Sequence, residues 1–211
     1  MSLENITFSK NKNYPYIIFD NWYNKEEEKL VAKELEFWTL VHKNKLELPK
    51  KDAVARDRET DEPLGKHFRI YLKDYYSSNG TSLSPIWSCL YKQQEEKFHK
   101  IITDYSPMYN NFGATSDTSF FASYYDNSHY YKTHFDGSPF SCLIYFFKTP
   151  KNFIGGDLKF KNLEETIECK HNRMILFPGW MEHASTPLKL LDNDKQYTGK
   201  YTITHFYYGV V

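Results

Sequence analysis

The sequence predicts an α+β fold, mainly β, in which helices in the N-terminal half buttress an antiparallel sandwich or barrel in the C-terminal half. Three observations predict it. Helical apolar spacing occurs at two places, both before residue 106. From Ser119 onward the rhythm changes to short runs of aromatic and branched residues separated by Gly, Pro, Asn and Asp. The 211 residues also include 18 Tyr and 16 Phe, side chains that favour pleated, half-buried surfaces. Helices first and closely spaced strands afterwards is the α+β order.

Taken in chain order, "YIIFDNWY" is a short apolar run. Asn24 then caps a helix near 25–38, with Glu27 at the third position as in a capping box and Leu30, Val31, Leu35 and Trp38 as its apolar stripe. The stretch from Lys43 to Glu62 is mostly charged and without period; it reads as a loop that could form a lid carrying Arg56 and Arg58. A second helix is expected over "SPIWSCLYKQQEEKFHKIITDY", where Ser84 caps, Pro85 suits the first turn, and Ile86, Leu90, Phe98, Ile101 and Ile102 supply the stripe. Strands are expected at "SFFASYY", "FSCLIYFF", "GGDLKF", "RMILFP" and "KYTITHFYYG". Gly155 and Gly156 lack the spacing and lysine of a phosphate loop and read as a tight turn, with Asp157 capping it.

The chain is long enough for one sizeable domain, and two would each be unusually small. Lys and Arg total 27 and so do Asp and Glu, so no global field draws the protein to nucleic acid or to an anionic membrane. No apolar run approaches the roughly 18–20 residues that span a bilayer, and the first residues carry no signal-peptide core. The cytoplasm is therefore the expected compartment. Cys89, Cys142 and Cys169 are odd in number and far apart, which predicts buried thiols rather than a disulfide framework or a thiolate zinc site.

The candidate chemistry begins in "YYKTHFDGSPF". On a strand, the pleat would turn His134 and Asp136 to one face and Phe135 to the other. A second histidine, His183, stands in "ILFPGWMEHASTP", where a strand ends at Pro178 and a turn follows. Two imidazoles and one carboxylate on one face of a metal leave three positions open, the facial triad of non-haem Fe(II) oxygenases. An HxD pair alone is weak among eight histidines; its weight comes from order and context. His42, His67, His99, His129, His171 and His205 fit no such context.

These segments, "ASYYDNSHYYKTHFD", "LIYFF" leading to "GGDLKF", "ILFPGWMEHASTP" and "GKYTITHFYY", follow one another between about Phe120 and Tyr208. In that order they resemble the 2-oxoglutarate and Fe(II)-dependent dioxygenases, and within them the prolyl 4-hydroxylase-like branch. The resemblance implies a double-stranded β-helix, or jelly roll, over about 111–211, with helical support over about 1–110. It implies His134, Asp136 and His183 as iron ligands and as the catalytic centre. Lys200 would face the distal carboxylate of 2-oxoglutarate, with Tyr145, Tyr124, Tyr131 and Thr202 around the cosubstrate. The strand "KYTIT" would put Lys200, Thr202 and Thr204 on one face and His205 on the other. Lys195 and Lys189 compete for the role of Lys200, because the stretch between the distal histidine and the basic residue is longer here than in relatives.

The implied cofactors are Fe(II), 2-oxoglutarate and O2, with ascorbate as an accessory. The implied reaction is decarboxylation of 2-oxoglutarate to succinate coupled to C–H hydroxylation, with a prolyl residue of a peptide or protein as the first substrate class and a small molecule or another side chain as the alternative. Two rivals of other classes are a non-catalytic jelly-roll binding protein and a zinc hydrolase built on the same triad. The first would lack a ligand or the basic residue, and the second would ignore 2-oxoglutarate.

Overall fold

In the computed structural model, residues 5–41, 54–76, 83–163 and 165–210 are described. The chain opens with β1 (Ile6–Phe8), β2 (Ile17–Asp20) and the helix α1 (Lys25–Val41), followed by β3 (Gly65–Lys66) and β4 (Phe68–Tyr71). Two further helices, α2 (Pro85–Ser88) and α3 (Glu96–Tyr105), lead into β5 (Thr115–Tyr125), β6 (Tyr130–His134) and β7 (Phe140–Phe146). Then come β8 (Phe153–Ile154), β9 (Leu158–Phe160), β10 (Thr166–Ile167), β11 (Arg173–Pro178), β12 (His183–Ser185), β13 (Lys189–Leu190) and β14 (Lys200–Val210).

The strands form two main antiparallel sheets. The larger has the order β1-β2-β11-β7-β14-β5-β4, and the smaller β10-β9-β12-β6-β3. Because side chains alternate along each strand, the larger sheet has two chemically different faces. One packs on the helices through Phe19, Phe98, Phe120, Ile144, Met174 and Ile203. The other faces the smaller sheet and is apolar at one end, around Phe147, Phe153, Phe160 and Phe177. This is the jelly roll expected from the sequence.

The capping box at α1 is formed: Asn24 Oδ1 accepts from the backbone N–H groups of Glu26 and Glu27, each at 3.0 Å, and Asn24 N–H donates to Glu27 Oε2 at 2.8 Å. The inward face differs from the expected stripe in one position. Leu30 is on the outside, and Glu34 is buried with Val31, Leu35 and Trp38. Its carboxylate accepts from Ser84 Oγ at 2.7 Å, Ile86 N–H at 2.8 Å, Tyr76 Oη at 2.9 Å and Trp38 Nε1 at 3.3 Å. A buried acid with four donors ties α1 to the start of α2. Glu34→Ala leaves those donors without an acceptor and should lower unfolding free energy by about 3 kcal/mol, measured by urea denaturation.

The second helix is broken. α2 gives way to a 3-10 turn over Cys89–Gln94, and Glu95 is extended (φ −68°, ψ 138°) before α3 begins. A continuous helix would set Ile86 and Phe98 about a third of a turn apart; the break lets both be buried. It also directs Gln93 inward, where its Oε1 lies 2.9 Å from His205 Nδ1. Of the charged 43–62 stretch, residues 43–53 lie outside the described ones. Residues 54–64 form a small hairpin in which Arg56 pairs with Asp61 and the Arg58 guanidinium lies 5.5 Å from the Phe135 ring. The three cysteines are buried free thiols. No helix among the described residues is long and apolar enough to cross a membrane.

Candidate active site

His134 is the last residue of β6 and His183 the first of β12; the two strands are paired, and these residues are direct partners across the ladder. Asp136 follows in the turn after β6, held there by its own N–H donating to Gly179 O at 2.8 Å. Residue 179 packs against Ser138 and must be glycine there: a Cβ would meet Ser138 O at 1.9 Å. Asp136 Oδ1 lies 3.6 Å from His134 Nε2, and Oδ2 lies 3.6 Å from His183 Nε2. The three potential ligand atoms fall within 4.8 Å of one another.

The orientation of both rings follows from their other nitrogen. His134 Nδ1 is 2.8 Å from Lys132 O and His183 Nδ1 is 2.8 Å from Met181 O. A carbonyl only accepts, so each Nδ1 carries the proton and each Nε2 lone pair faces Asp136. Ser141 Oγ donates to Asp136 Oδ2 at 2.6 Å, and Tyr131 stacks on His134 with ring centroids 3.7 Å apart. Burial pulls the pKa of both histidines down to about 4, and for His134 the neighbouring His183 adds to that while Asp136 opposes it. Burial also raises the Asp136 carboxyl above its ordinary value, against lowering by His134 and by the Ser141 hydrogen bond. Both imidazoles are therefore neutral near pH 7, the form that ligates metal.

The triad opens into a cavity of about 380 Å³ between the two sheets. Across it, β14 contributes Lys200, Thr202 and Thr204. Lys200 is 1 % exposed, and its ammonium donates to Gly156 O at 2.7 Å and Ser185 Oγ at 2.8 Å. It sits 4.3 Å from the Tyr125 ring centroid and 5.0 Å from that of Tyr145. Burial pulls its pKa down to about 8, against the raising influence of Cys169 and Asp157. Thr202 Oγ1 is buried without a hydrogen-bond partner. Gly155 and Gly156 have φ of 74° and 72°, in the left-handed region, and this bend presents the Gly156 carbonyl to Lys200. Asp157 Oδ1 accepts from Cys169 N–H at 2.7 Å and holds the turn.

Of the sequence candidates, His134, Asp136, His183, Lys200, Thr202, Tyr145 and Tyr131 all line this cavity. Tyr124 does not. Its ring lies on the helix side against Tyr201, centroids 4.9 Å apart, and its hydroxyl accepts from Gly199 N–H at 3.1 Å. Tyr125 takes the cavity side instead, opposite Lys200 in the β5–β14 register. Counting back from His134 crosses a loop in which Ser128 has a φ of 60°, and strand parity is lost there. Counting from Lys200 across the ladder would have found Tyr125.

Lys189 is exposed, and Lys195 is at the surface beside Asp192. Trp180 is 46 % exposed and leans on Tyr14 outside the cavity. Residues that the sequence did not single out include Ser185 and Arg69. Arg69 stands on β4 at the sheet edge, its guanidinium 4.0 Å from the Phe121 ring and 3.0 Å from His67 Nε2.

Among curated proteins none matches. Residues 119–208 match the family model of the 2OG-Fe(II) oxygenase superfamily. The fold is similar to that of a Pseudomonas putida prolyl-4-hydroxylase, with a TM-score of 0.57 at 13 % identity over 92 % of this chain and 91 % of that one. It is also similar to a Trichoplax adhaerens prolyl hydroxylase in complex with a hypoxia inducible factor peptide fragment, with a TM-score of 0.58 at 13 % identity over 92 % and 83 %. The viral collagen prolyl hydroxylase of Paramecium Bursaria Chlorella virus-1 gives 0.51 at 14 % identity over 91 % and 94 %. Thus residues 119–208, which contain the triad and Lys200, match the 2OG-Fe(II) oxygenase superfamily, on a fold similar to that of prolyl 4-hydroxylases.

Proposed function

We propose that the chain, as one oxygenase domain, uses Fe(II), 2-oxoglutarate and O2 to hydroxylate a prolyl residue of a peptide or protein, with His134, Asp136 and His183 holding the iron. The observation that carries this reading is that both recognition elements share one cavity: three inward ligand atoms on one side and a buried ammonium on the other. The donor set fits the metal. Three ligand atoms within 4.8 Å of one another, two imidazole nitrogens and a carboxylate oxygen, would hold one such ion between them. Two neutral imidazoles and a carboxylate leave positions open for a chelating cosubstrate. When bound, iron with 2-oxoglutarate and O2 supplies the oxidising chemistry.

The rest falls to the residues of this chain. Lys132 O and Met181 O fix the imidazole tautomers, and Ser141 holds one carboxylate oxygen. Lys200 and the Thr202 hydroxyl receive the distal carboxylate of 2-oxoglutarate, with Tyr145 and Tyr131 as walls that keep water out. Retention of Asp136 favours hydroxylation over halogenation. Phe121, Phe206, Tyr71 and Tyr208 give the cavity an aromatic side suited to a pyrrolidine ring. Similarity to prolyl hydroxylases, one of them solved with a peptide, supports a peptide substrate. Ascorbate belongs to the reading as an accessory reductant.

The test is anaerobic reconstitution with Fe(II) and 2-oxoglutarate, followed by oxygen and a panel of proline-containing peptides. A visible charge-transfer band and peptide-stimulated succinate are the expected result. A band with slow, unstimulated succinate would keep the oxygenase and reject the peptides. A folded, metal-loaded protein that ignores 2-oxoglutarate would overturn the reading in favour of a hydrolase or a binding protein.

A further inference from the structure

The proposed cosubstrate end of the cavity contains one contact that the residue roles above leave unused. β12 is only three residues long, and it carries His183 and Ser185, both of which line the cavity. The ladder to β6 shifts register between these two residues, and Ser185 is opposite Tyr131. Ser185 Oγ is the acceptor of one of the two hydrogen bonds that hold the Lys200 ammonium, at 2.8 Å; the Gly156 carbonyl takes the other at 2.7 Å. An ammonium has three N–H groups. With two of them directed to Gly156 and Ser185, the third is the one that remains for a ligand carboxylate.

We infer that Ser185 is a positioning residue for 2-oxoglutarate: it fixes the direction of the Lys200 ammonium from the same short strand that presents His183. The inference rests on the cosubstrate reading above and deepens it. A lysine is a flexible point charge, unlike the planar fork of arginine, so its direction must be set by its surroundings. Gly156 holds it from the β8–β9 turn and Ser185 from the opposite strand. Without the hydroxyl, the Lys200 stem can rotate and one N–H loses its acceptor in a buried site, so that receiving a carboxylate requires reordering the cation. Threonine keeps the oxygen at the same position and should keep the function.

The experiment is calorimetric titration of 2-oxoglutarate into Mn(II)-loaded protein without turnover, for the wild type, Ser185→Ala, Ser185→Thr, Lys200→Ala and the Ser185→Ala/Lys200→Ala double variant. Ser185→Ala should weaken 2-oxoglutarate binding about tenfold, the effect of one hydrogen bond to a charged group. Ser185→Thr should restore most of it, and Mn(II) affinity should not change. The double variant should bind no more weakly than Lys200→Ala, because Ser185 acts through the ammonium. A wild-type affinity in Ser185→Ala, or a double variant whose losses add, would overturn the role of Ser185 while leaving the cosubstrate reading in place. No 2-oxoglutarate binding by the Mn(II)-loaded wild type would overturn both.

Discussion

His183→Ala should abolish succinate formation and metal binding while leaving the fold intact. The two effects separate because of the charge state of the ring. His183 is 4 % exposed, and burial pulls its pKa down to about 4, so at neutral pH it is an uncharged ring and its removal breaks no ion pair. What the fold loses is an edge contact to Phe177, centroids 4.8 Å apart, a contact to His134 and the hydrogen bond to Met181 O, a cost set against the whole core of the two sheets. What the site loses is one of three ligands. Removing an outer-shell partner of a metal costs about 10- to 100-fold, and removal of a ligand should exceed that. Succinate release measures the chemistry, and the Mn(II)-dependent rise in Tm measures the metal, since an ion bound only by the native state stabilises it by about 2.7 kcal/mol at a hundredfold excess over Kd. The wild type should gain that shift and the variant should not. Turnover retained in the variant would remove His183 from the site. The pH dependence has a definite sign: His134 and His183 bind metal in the neutral form, so metal is held at neutral pH and lost as pH falls toward about 4.

The second large effect is at Lys200. Lys200→Met keeps the stem and removes the charge, and should raise the 2-oxoglutarate requirement by about a hundredfold or more, since truncating one partner of a buried charge pair costs about 2–5 kcal/mol. The wild type adds a pH signature. Burial pulls the pKa of the ammonium down to about 8 before a carboxylate arrives. A bound carboxylate favours the charged form, so 2-oxoglutarate affinity should be full below pH 8 and fall as pH rises through it, whereas the Met variant should be flat in that range. The linkage to folding has the opposite sign. With a folded pKa below its unfolded value, this lysine binds more protons in the unfolded chain above pH 8, so its contribution to stability without cosubstrate rises with pH there. A wild-type affinity that does not fall above pH 8, or a Met variant that binds like the wild type, would exclude Lys200 as the carboxylate partner. If Lys195→Ala produced the loss instead, the reading of the long connection before β14 would be wrong by five residues.

Much of this was legible along the chain. The capping box at Asn24, the strands β5, β7, β9, β11 and β14 and the pairing of Lys200 with Thr202 and Thr204 on one face all follow from local chemistry and periods of 2 or 3.6. The order of motifs from about Phe120 to Tyr208 was enough to indicate the superfamily that residues 119–208 match. Where reading failed, a local rule met a tertiary demand. Glu34 is not part of the apolar stripe, and it is buried because Ser84, Ile86 and Tyr76 from other segments and Trp38 one turn on bring donors to it. The second helix breaks at Glu95 because two parts of its stripe must face different parts of the core.

By itself the sequence indicated the fold class, the superfamily that residues 119–208 match and the three residues that cluster as the triad, because each of these is written in types and spacings within one segment. Only the tertiary structure decided which of Tyr124 and Tyr125 faces the cavity and which of the three candidate lysines is buried in it. It also decided that Ser185, two residues from His183, touches that lysine. Those outcomes depend on cross-strand register and on loop conformation, and neither is encoded in the period of a single strand.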